Sequence, residues 1–333
     1  MTDTKSNTRP RIALVGAGGL GKVWAETIAA DAKVEFAAIV DPLIGSGKES
    51  AWLANHAAVP KFTTLDEAAK AGLDAVVVTA HSTVHADILR NAVALGLSAL
   101  VEKPFTISYA DSEDIVARAA KQGVTVMVSQ NYRFFPGALL IRDMVRDRRY
   151  GGVVSVVGEF WCDWAGKPYQ HAMTHVMGLE MAVHHFDLCR AMFDADAVGG
   201  YVREWQPANS QYAGGGAIEA LFDMRGDSTD FPFTYTGSLV GRAPRTPWGG
   251  KWRIEFDTET LVVDEIDGRY GVYRAHAEGN EWLASFDGET MGFNRPFEHF
   301  VDCLIAGKEP WSSGRDNLGT MKMALGAEFF GKR

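Results

Sequence analysis

The sequence predicts an α/β protein of two domains. A doubly wound parallel sheet comes first, then an α/β domain with an open, mostly antiparallel sheet. Three observations predict this. Short continuous apolar runs alternate with helical stretches from residue 11 to about residue 130. A glycine-rich turn stands at the first junction between such a run and a helix. After about residue 131 the pattern changes to segments of period two, separated by Gly, Asp and Pro. The length of 333 residues agrees with two domains, each large enough to bury a core.

The elements follow in order. Residues 12–15 (IALV) form the first strand, and residues 20–30 the first helix. Residues 34–40 give a second strand, closed by Asp41 and Pro42. AVVVTA at 75–80 is the third, followed by a helix over 84–95. A strand at 99–102, a helix at 111–121 and a strand at 124–128 complete the series. Apolar strands without alternation are buried on both faces, as parallel strands joined by helical crossovers are. The second region opens with a helix over 137–147 and a strand over 153–161, and a helix is expected over 175–193. Period-two stretches at 231–240, 252–256 and 260–263 predict antiparallel strands with one open face. Helices over 296–306 and 317–330 end the chain. There is no internal repeat or low-complexity linker, so the boundary near residue 130 is a change of pattern.

Composition excludes several classes. A chain 47% hydrophobic and 23% charged is neither disordered, collagen-like nor coiled coil as a whole. Its 33 basic and 42 acidic residues give a net charge of −9. With no dense Lys/Arg block, nucleic acid and anionic membranes are poor partners. Cys162, Cys189 and Cys303 form no CxxC pair, which argues against a disulfide framework or a cysteine zinc site and fits a reducing compartment. The polar start of the chain lacks the apolar core of a signal peptide, and no run of 18 apolar residues occurs. A soluble cytoplasmic protein is expected.

Gly16-Ala17-Gly18-Gly19-Leu20-Gly21 is GxGxxG, a weak signal alone in a chain with 35 glycines. Its place between a strand and a helix strengthens it. Gly16 permits the tight turn, Gly18 lets the backbone approach a pyrophosphate, and Gly21 lets helix and strand pack closely. The helix N-terminus, with Gly19 and Leu20, presents N–H groups to phosphate. Asp41 lies 20 residues beyond Gly21, where a carboxylate accepts ribose hydroxyls and repels a 2′-phosphate. No Arg occurs in 42–47, so NAD is favoured over NADP. The plainer alternative is a glycine turn without cofactor, with Asp41 capping the strand.

Glu102-Lys103-Pro104 stands at the carboxyl end of the strand at 99–102, where open α/β sheets bind ligands. Thr79, Ala80, His81 and Ser82 end another strand, with His85 one turn further, and would line the same crevice, so Thr79, His81, His85, Glu102 and Lys103 are expected at the cofactor. Taken alone, Lys103 would read as a solvated surface residue.

On these residues the chain resembles the Gfo/Idh/MocA family of nicotinamide-dependent oxidoreductases. The GAGGLG turn, Asp41, residues 79–85 and above all Glu102-Lys103-Pro104 carry the resemblance. Asn131-Tyr132-Arg133-Phe134 and the stretch around His184 extend it over nearly the whole chain. It implies a Rossmann domain over 1–130. A substrate-binding α/β domain over 131–333 would follow, with an open sheet that often forms an oligomer interface. A homodimer or homotetramer is therefore expected. It implies action on sugars, polyols and related compounds. It also implies that Lys103 binds substrate and assists proton transfer, and that the Lys–Pro bond is frequently cis. Ala80 departs from the Pro found in many members.

Residues 178–187 read GLEMAVHHFD. In a helix, Glu180, His184 and Asp187 fall at i, i+4 and i+7 on one face. Carboxylates beside an imidazole that titrates near neutrality suit acid–base work. The resemblance implies a carboxylate, three residues, then a catalytic His, and Glu180 and His184 match that spacing. Asp is commoner than Glu at the first place, which leaves the exact partner of Glu180 open. The plainer alternative is a surface-charged helix with one core histidine. His185 faces either pocket or core. His171 and His175 are four apart, but Ala172 stands where HExxH needs Glu, so no metal is expected.

Trp161, Trp164, Trp248 and Trp252 are candidates to stack on a sugar ring, or else to pack in the core. Asn131 is assigned to the cofactor; Arg133, Trp161, Trp164, His171 and His185 join Lys103, Glu180 and His184 as substrate contacts. The expected reaction has His184 as general base, Lys103 stabilising the alkoxide and Glu180 orienting the substrate, with hydride passing to NAD. The same residues would serve a redox-neutral, NAD-dependent glycoside hydrolase. A non-catalytic NAD-binding regulator would need no such set.

Overall fold

The computed structural model describes residues 9–227, 229–286 and 292–330. The chain begins with β1 (Arg11–Val15), α1 (Gly19–Ala30), β2 (Glu35–Val40), β3 (Lys61–Phe62) and α2 (Leu65–Ala69). β4 (Ala75–Val78), α3 (His85–Ala94), β5 (Ser98–Glu102), α4 (Tyr109–Gln122) and β6 (Val126–Ser129) follow. These strands form one parallel sheet in the order β3-β2-β1-β4-β5-β6. The order reverses beside β1, which makes the carboxyl ends of β1 and β4 the ligand-binding switch point. Both faces of the central strands are covered: Ile12, Ala13, Leu14, Val76 and Leu100 are fully buried.

Next come α5 (Pro136–Arg146), β7 (Val153–Trp161), α6 (Pro168–His171), a π-helical turn (Gly178–Ala182) and α7 (Val183–Phe193). β8 (Ala195–Trp205), β9 (Ala217–Gly226), β10 (Asp230–Ser238), β11 (Lys251–Phe256), β12 (Thr260–Ile266), β13 (Arg269–His276) and β14 (Gly279–Ser285) complete a second sheet. Its order is β14-β13-β12-β11-β7-β10-β9-β8, and only β7 and β10 pair in parallel. Phe186 of α7 packs its ring on Phe222 and Tyr235, at 5.2 and 5.0 Å between centroids, covering one face. The other face stays open, as the alternating buried and exposed residues of β9 and β10 record. The chain ends with α8 (Asn294–Ala306), α9 (Gly314–Ala324) and α10 (Gly326–Phe329). Among the described residues no helix is long and apolar enough to cross a membrane.

Two compact units result: residues 1–129 with 293–318, and residues 130–292 with 319–333. A single boundary at 130 therefore misses a return of the chain. The return has a physical cause. Phe293 and Phe297 pack on the buried Trp24, with centroids 5.0 and 6.2 Å away. Ser312 and Ser313 cover the outer edge of β6: Val128 N–H donates to Ser312 O at 2.9 Å, and the Ser312 hydroxyl donates to Val128 O at 2.7 Å. An uncovered edge would leave these backbone groups unpaired.

Two helices differ from the periodicity. The stretch expected as one helix over 175–193 begins as the π turn, and the last helix breaks at Leu325 into α9 and α10.

Candidate functional site

In the first unit the glycine turn is shaped by contacts that leave no room for side chains. Gly16 has φ +103, and a Cβ there would lie 2.5 Å from Ala80 N. A Cβ on Gly21 would lie 2.3 Å from Gly16 O. Gly18 and Gly19 face open space, with nothing within 4 Å of an added Cβ. Gly18 caps α1, the first turn carries no acidic side chain, and no side chain caps its N–H groups. A helix end of this kind favours an anion. Leu20 is exposed beside it.

Asp41 fixes the turn from the end of β2. Its carboxylate accepts from Ala17 N at 2.7 Å and from Leu43 N at 2.9 Å. The Thr79 hydroxyl donates to Gly16 O at 2.7 Å. Trp52 and Ser50 donate to Ala17 O, at 3.1 and 2.5 Å. The Ser82 hydroxyl is buried at the mouth of β4 and has no hydrogen-bond partner among the described residues. An orphaned donor beside an open glycine turn suits a polar ligand. The turn, the free helix end, the fixed carboxylate and this hydroxyl together fit a dinucleotide.

Lys103 directly follows β5, half-buried, with the Lys103–Pro104 bond cis. Three neighbours expected at the cofactor have other work. Glu102 is buried and accepts from Trp24 Nε1 at 2.8 Å and from Lys103 N at 3.1 Å. Burial pushes its carboxyl up from the ordinary range. His85 is 1% exposed, with ring nitrogens 2.9 Å from the carbonyls of Pro104 and Ala80. Glu102, His85 and the buried Thr79 thus hold the strand ends in place, and the reading of them as cofactor contacts is corrected to that extent. His81 is exposed.

The second unit carries the acid–base candidates. Glu180 sits in the π turn, 8% exposed. His184 follows in the first turn of α7, half-buried, its ring stacked on Tyr132 at 4.5 Å and 17°. A π turn adds a residue to the helical repeat and re-aims side chains, a device common at functional sites. Tyr169 and Tyr212 lie near Glu180. Burial pushes both phenols up to about 12, and the Glu180 charge adds to it.

Other candidates turn inward. Arg133 is 1% exposed and forms a bidentate pair with Asp187, at 2.6 and 2.7 Å. Thr320 donates to the same carboxylate at 2.8 Å. Arg133 is therefore a buried anchor, not an open substrate contact. Its short turn (Asn131–Phe134) carries Tyr132, so the ion pair positions the ring that stacks on His184. Asn131 is buried in the same turn. His185 is also enclosed: one nitrogen takes the Tyr235 hydroxyl at 2.7 Å and the other lies 2.9 Å from Trp248 O. Burial lowers its pKa to about 4, so it is neutral, with Nε2 donating to the carbonyl. This corrects its assignment to the substrate.

Trp161 is half-buried and bonds Glu159 at 3.2 Å, whereas Trp164 is exposed and meets Trp248 edge-on at 5.7 Å. His171 bonds Ala165 O at 2.6 Å. Among the described residues no group of His, Cys, Asp and Glu could hold a metal ion. Sequence reading missed Gln130, whose buried side-chain amide has no hydrogen-bond partner among the described residues. It also missed Arg245, which lies outside every recognised motif.

A dinucleotide-type cradle, a lysine at the strand ends and a helix bearing Glu and His define a class of oxidoreductase. Residues 10–130 match the Gfo/Idh/MocA model, described as an oxidoreductase family with an NAD-binding Rossmann fold. The chain is 26% identical to an inositol 2-dehydrogenase of Rhizobium meliloti over 329 residues, 94% of each chain. It is 26% identical to a D-apiose dehydrogenase of Paraburkholderia graminis over 75% of this chain and 69% of the relative. An Agrobacterium radiobacter oxidoreductase, solved with NAD+, L-tartaric acid and magnesium, superposes with a TM-score of 0.83 at 18% identity over 96% of each chain. Residues 10–130 therefore match the NAD-binding Rossmann part of the Gfo/Idh/MocA oxidoreductases, and over most of its length the chain is similar to the inositol 2-dehydrogenase.

Proposed function

We propose that this protein is an NAD-dependent dehydrogenase that moves hydride between nicotinamide and a secondary hydroxyl of a sugar, sugar derivative or polyol. The observation that carries this reading is the Glu180–His184 pair, held by a π turn with Tyr132 stacked on the imidazole. A purely structural helix has no need of that arrangement. The relatives that act on inositol and apiose support the substrate class.

Gly16, Gly18, Gly19, Leu20 and Gly21 would hold the pyrophosphate, Asp41 the ribose, and His81, Ser82, Lys103 and Asn131 the nicotinamide end. The bound nicotinamide supplies the hydride acceptor. Asp41 favours NAD over NADP, because its carboxylate is pinned by two backbone amides and cannot swing away from a 2′-phosphate. His184 accepts the hydroxyl proton on a ring nitrogen. The Lys103 ammonium donates a hydrogen bond to the oxygen as charge develops there. Glu180 accepts from a neighbouring hydroxyl and fixes the ring's orientation. The open sheet face supports a homodimer or homotetramer.

The test is NADH formation, by absorbance, with a panel of sugars, polyols and glycosides. Lys103→Ala and His184→Ala are expected to lose about 10²–10⁴-fold in turnover, the usual size of acid–base catalysis, while still binding NAD by calorimetry. Wild-type turnover in either variant removes the assigned role. Release of aglycone without net NADH would move the assignment to the redox-neutral hydrolase.

A further inference from the structure

Arg245 lies in the loop of residues 239–250 that joins β10 to β11. This loop is built to hold a shape. Thr246 N donates to Trp161 O at 3.0 Å, and the Thr246 hydroxyl accepts from Trp161 N at 3.0 Å. Gly241 N donates to Cys162 O at 2.8 Å. The neutral His185 donates to Trp248 O at 2.9 Å, and the Tyr270 hydroxyl donates to Gly250 O at 2.9 Å. The buried histidine thus acts as a pin for the loop.

The loop presents a cation. The Arg245 guanidinium lies over the Trp248 ring, 4.5 Å from its centroid, and Trp248 stacks in turn on the buried Phe160 at 5.9 Å. Arg245 itself is exposed. Among the described residues its guanidinium donates to Thr246 O at 3.0 Å, which leaves most of its five donors for another partner. Glu159 stands on β7 and Asp163 lies two residues beyond its end, yet no ion pair joins a carboxylate among the described residues to Arg245. Its charge also reaches the Tyr132 hydroxyl and the Cys162 thiol, where it opposes the effect of burial. Tyr132 is the ring stacked on His184.

We infer that Arg245 binds an oxyanion of the substrate, so that the hydroxyl compound is an acidic one: a sugar acid or a sugar phosphate. The inference rests on the dehydrogenase reading and narrows its substrate. A guanidinium that rests over an indole is restrained there, and its planar fork suits bidentate binding of carboxylate or phosphate. A neutral polyol would give this cation no counter-charge.

The experiment compares neutral aldoses and polyols with the matching sugar acids and sugar phosphates, read by NADH formation. Wild-type enzyme should prefer one acidic set by about tenfold or more in kcat/KM. Which set is preferred tells carboxylate from phosphate. Arg245→Ala should remove that preference, chiefly through KM. Arg245→Lys should keep part of it, because the charge remains and the fork is lost. Arg242→Ala, exposed on the same loop, should leave the preference intact. A neutral compound as best substrate overturns the inference, as does a preference that survives in Arg245→Ala or disappears in Arg242→Ala. Turnover of neutral compounds alone would leave the dehydrogenase reading standing. No turnover of any compound by folded, NAD-binding protein would end both.

Discussion

Arg133 and Asp187 show how far single residues can be read. Both are polar, both flank Glu180 and His184 in sequence, and an open guanidinium is a reasonable substrate contact. Sequence spacing could not reveal that the two meet across elements in a fully buried fork, 54 positions apart. Asp187→Ala would take away the carboxylate that meets the buried Arg133 fork. A loss of about 3–5 kcal/mol in denaturant unfolding is expected. A loss below about 1 kcal/mol would place the pair near solvent instead. His185 makes a second residue-scale prediction. Burial lowers its pKa from 6.5 to about 4, so the unfolded chain binds the extra proton between those values. Its contribution to stability is complete above pH 6.5 and is lost as pH falls towards 4. The full difference is about 3 kcal/mol. Stability measured across this window in wild type and in His185→Gln should show the steep acid-side slope only in wild type. Equal slopes would assign the acid sensitivity to other groups.

At the scale of elements, the parallel sheet was legible because its signals are local. Each strand is an unbroken apolar run, and the glycine turn at the first junction carries its own steric reason. That reason makes a prediction. A Cβ at position 21 would sit 2.3 Å from Gly16 O, backbone that Asp41 and Thr79 hold in place. Gly21→Ala should push the turn out of shape and weaken NAD binding by about tenfold or more in calorimetry, since a cradle displaced by about 1 Å loses its aligned donors. Unchanged affinity would mean that the turn relaxes freely. The π turn was not legible. Apolar spacing over 175–193 fits a single α-helix, and the extra residue per turn at Gly178–Ala182 depends on tertiary packing. A Cβ on Gly178 would lie 2.3 Å from Ala324 O, a neighbour more than 140 positions away. The i, i+4 spacing of Glu180 and His184 could be read, but the π turn that aims them could not.

Over the whole molecule, the misplaced segment was 293–318, whose amphipathic pattern says that it packs but not on which unit. The open sheet face was foreseen from period two, and the strand register now specifies it. Tyr201, Leu221, Thr234, Val157, Arg253, Val262, Tyr273 and Trp282 stand side by side across all eight strands. Leu221 is 45% and Val157 44% exposed, near the middle of this row, with Thr234 between them. An apolar strip flanked by Arg253 resembles the centre of an interface more than a solvated surface, because such patches are seldom left bare. A C2 pairing of this face would bury each strip against its copy. Sedimentation equilibrium should therefore give a mass that is a multiple of 36.3 kDa. Val157→Lys combined with Leu221→Lys points two cations at their symmetry mates and should shift the protein to monomer with its far-ultraviolet dichroism unchanged. Because both side chains already face solvent within one chain, folding of the unit itself has little to lose. A wild-type mass of 36.3 kDa at micromolar concentration would instead assign this face to a partner other than a second copy.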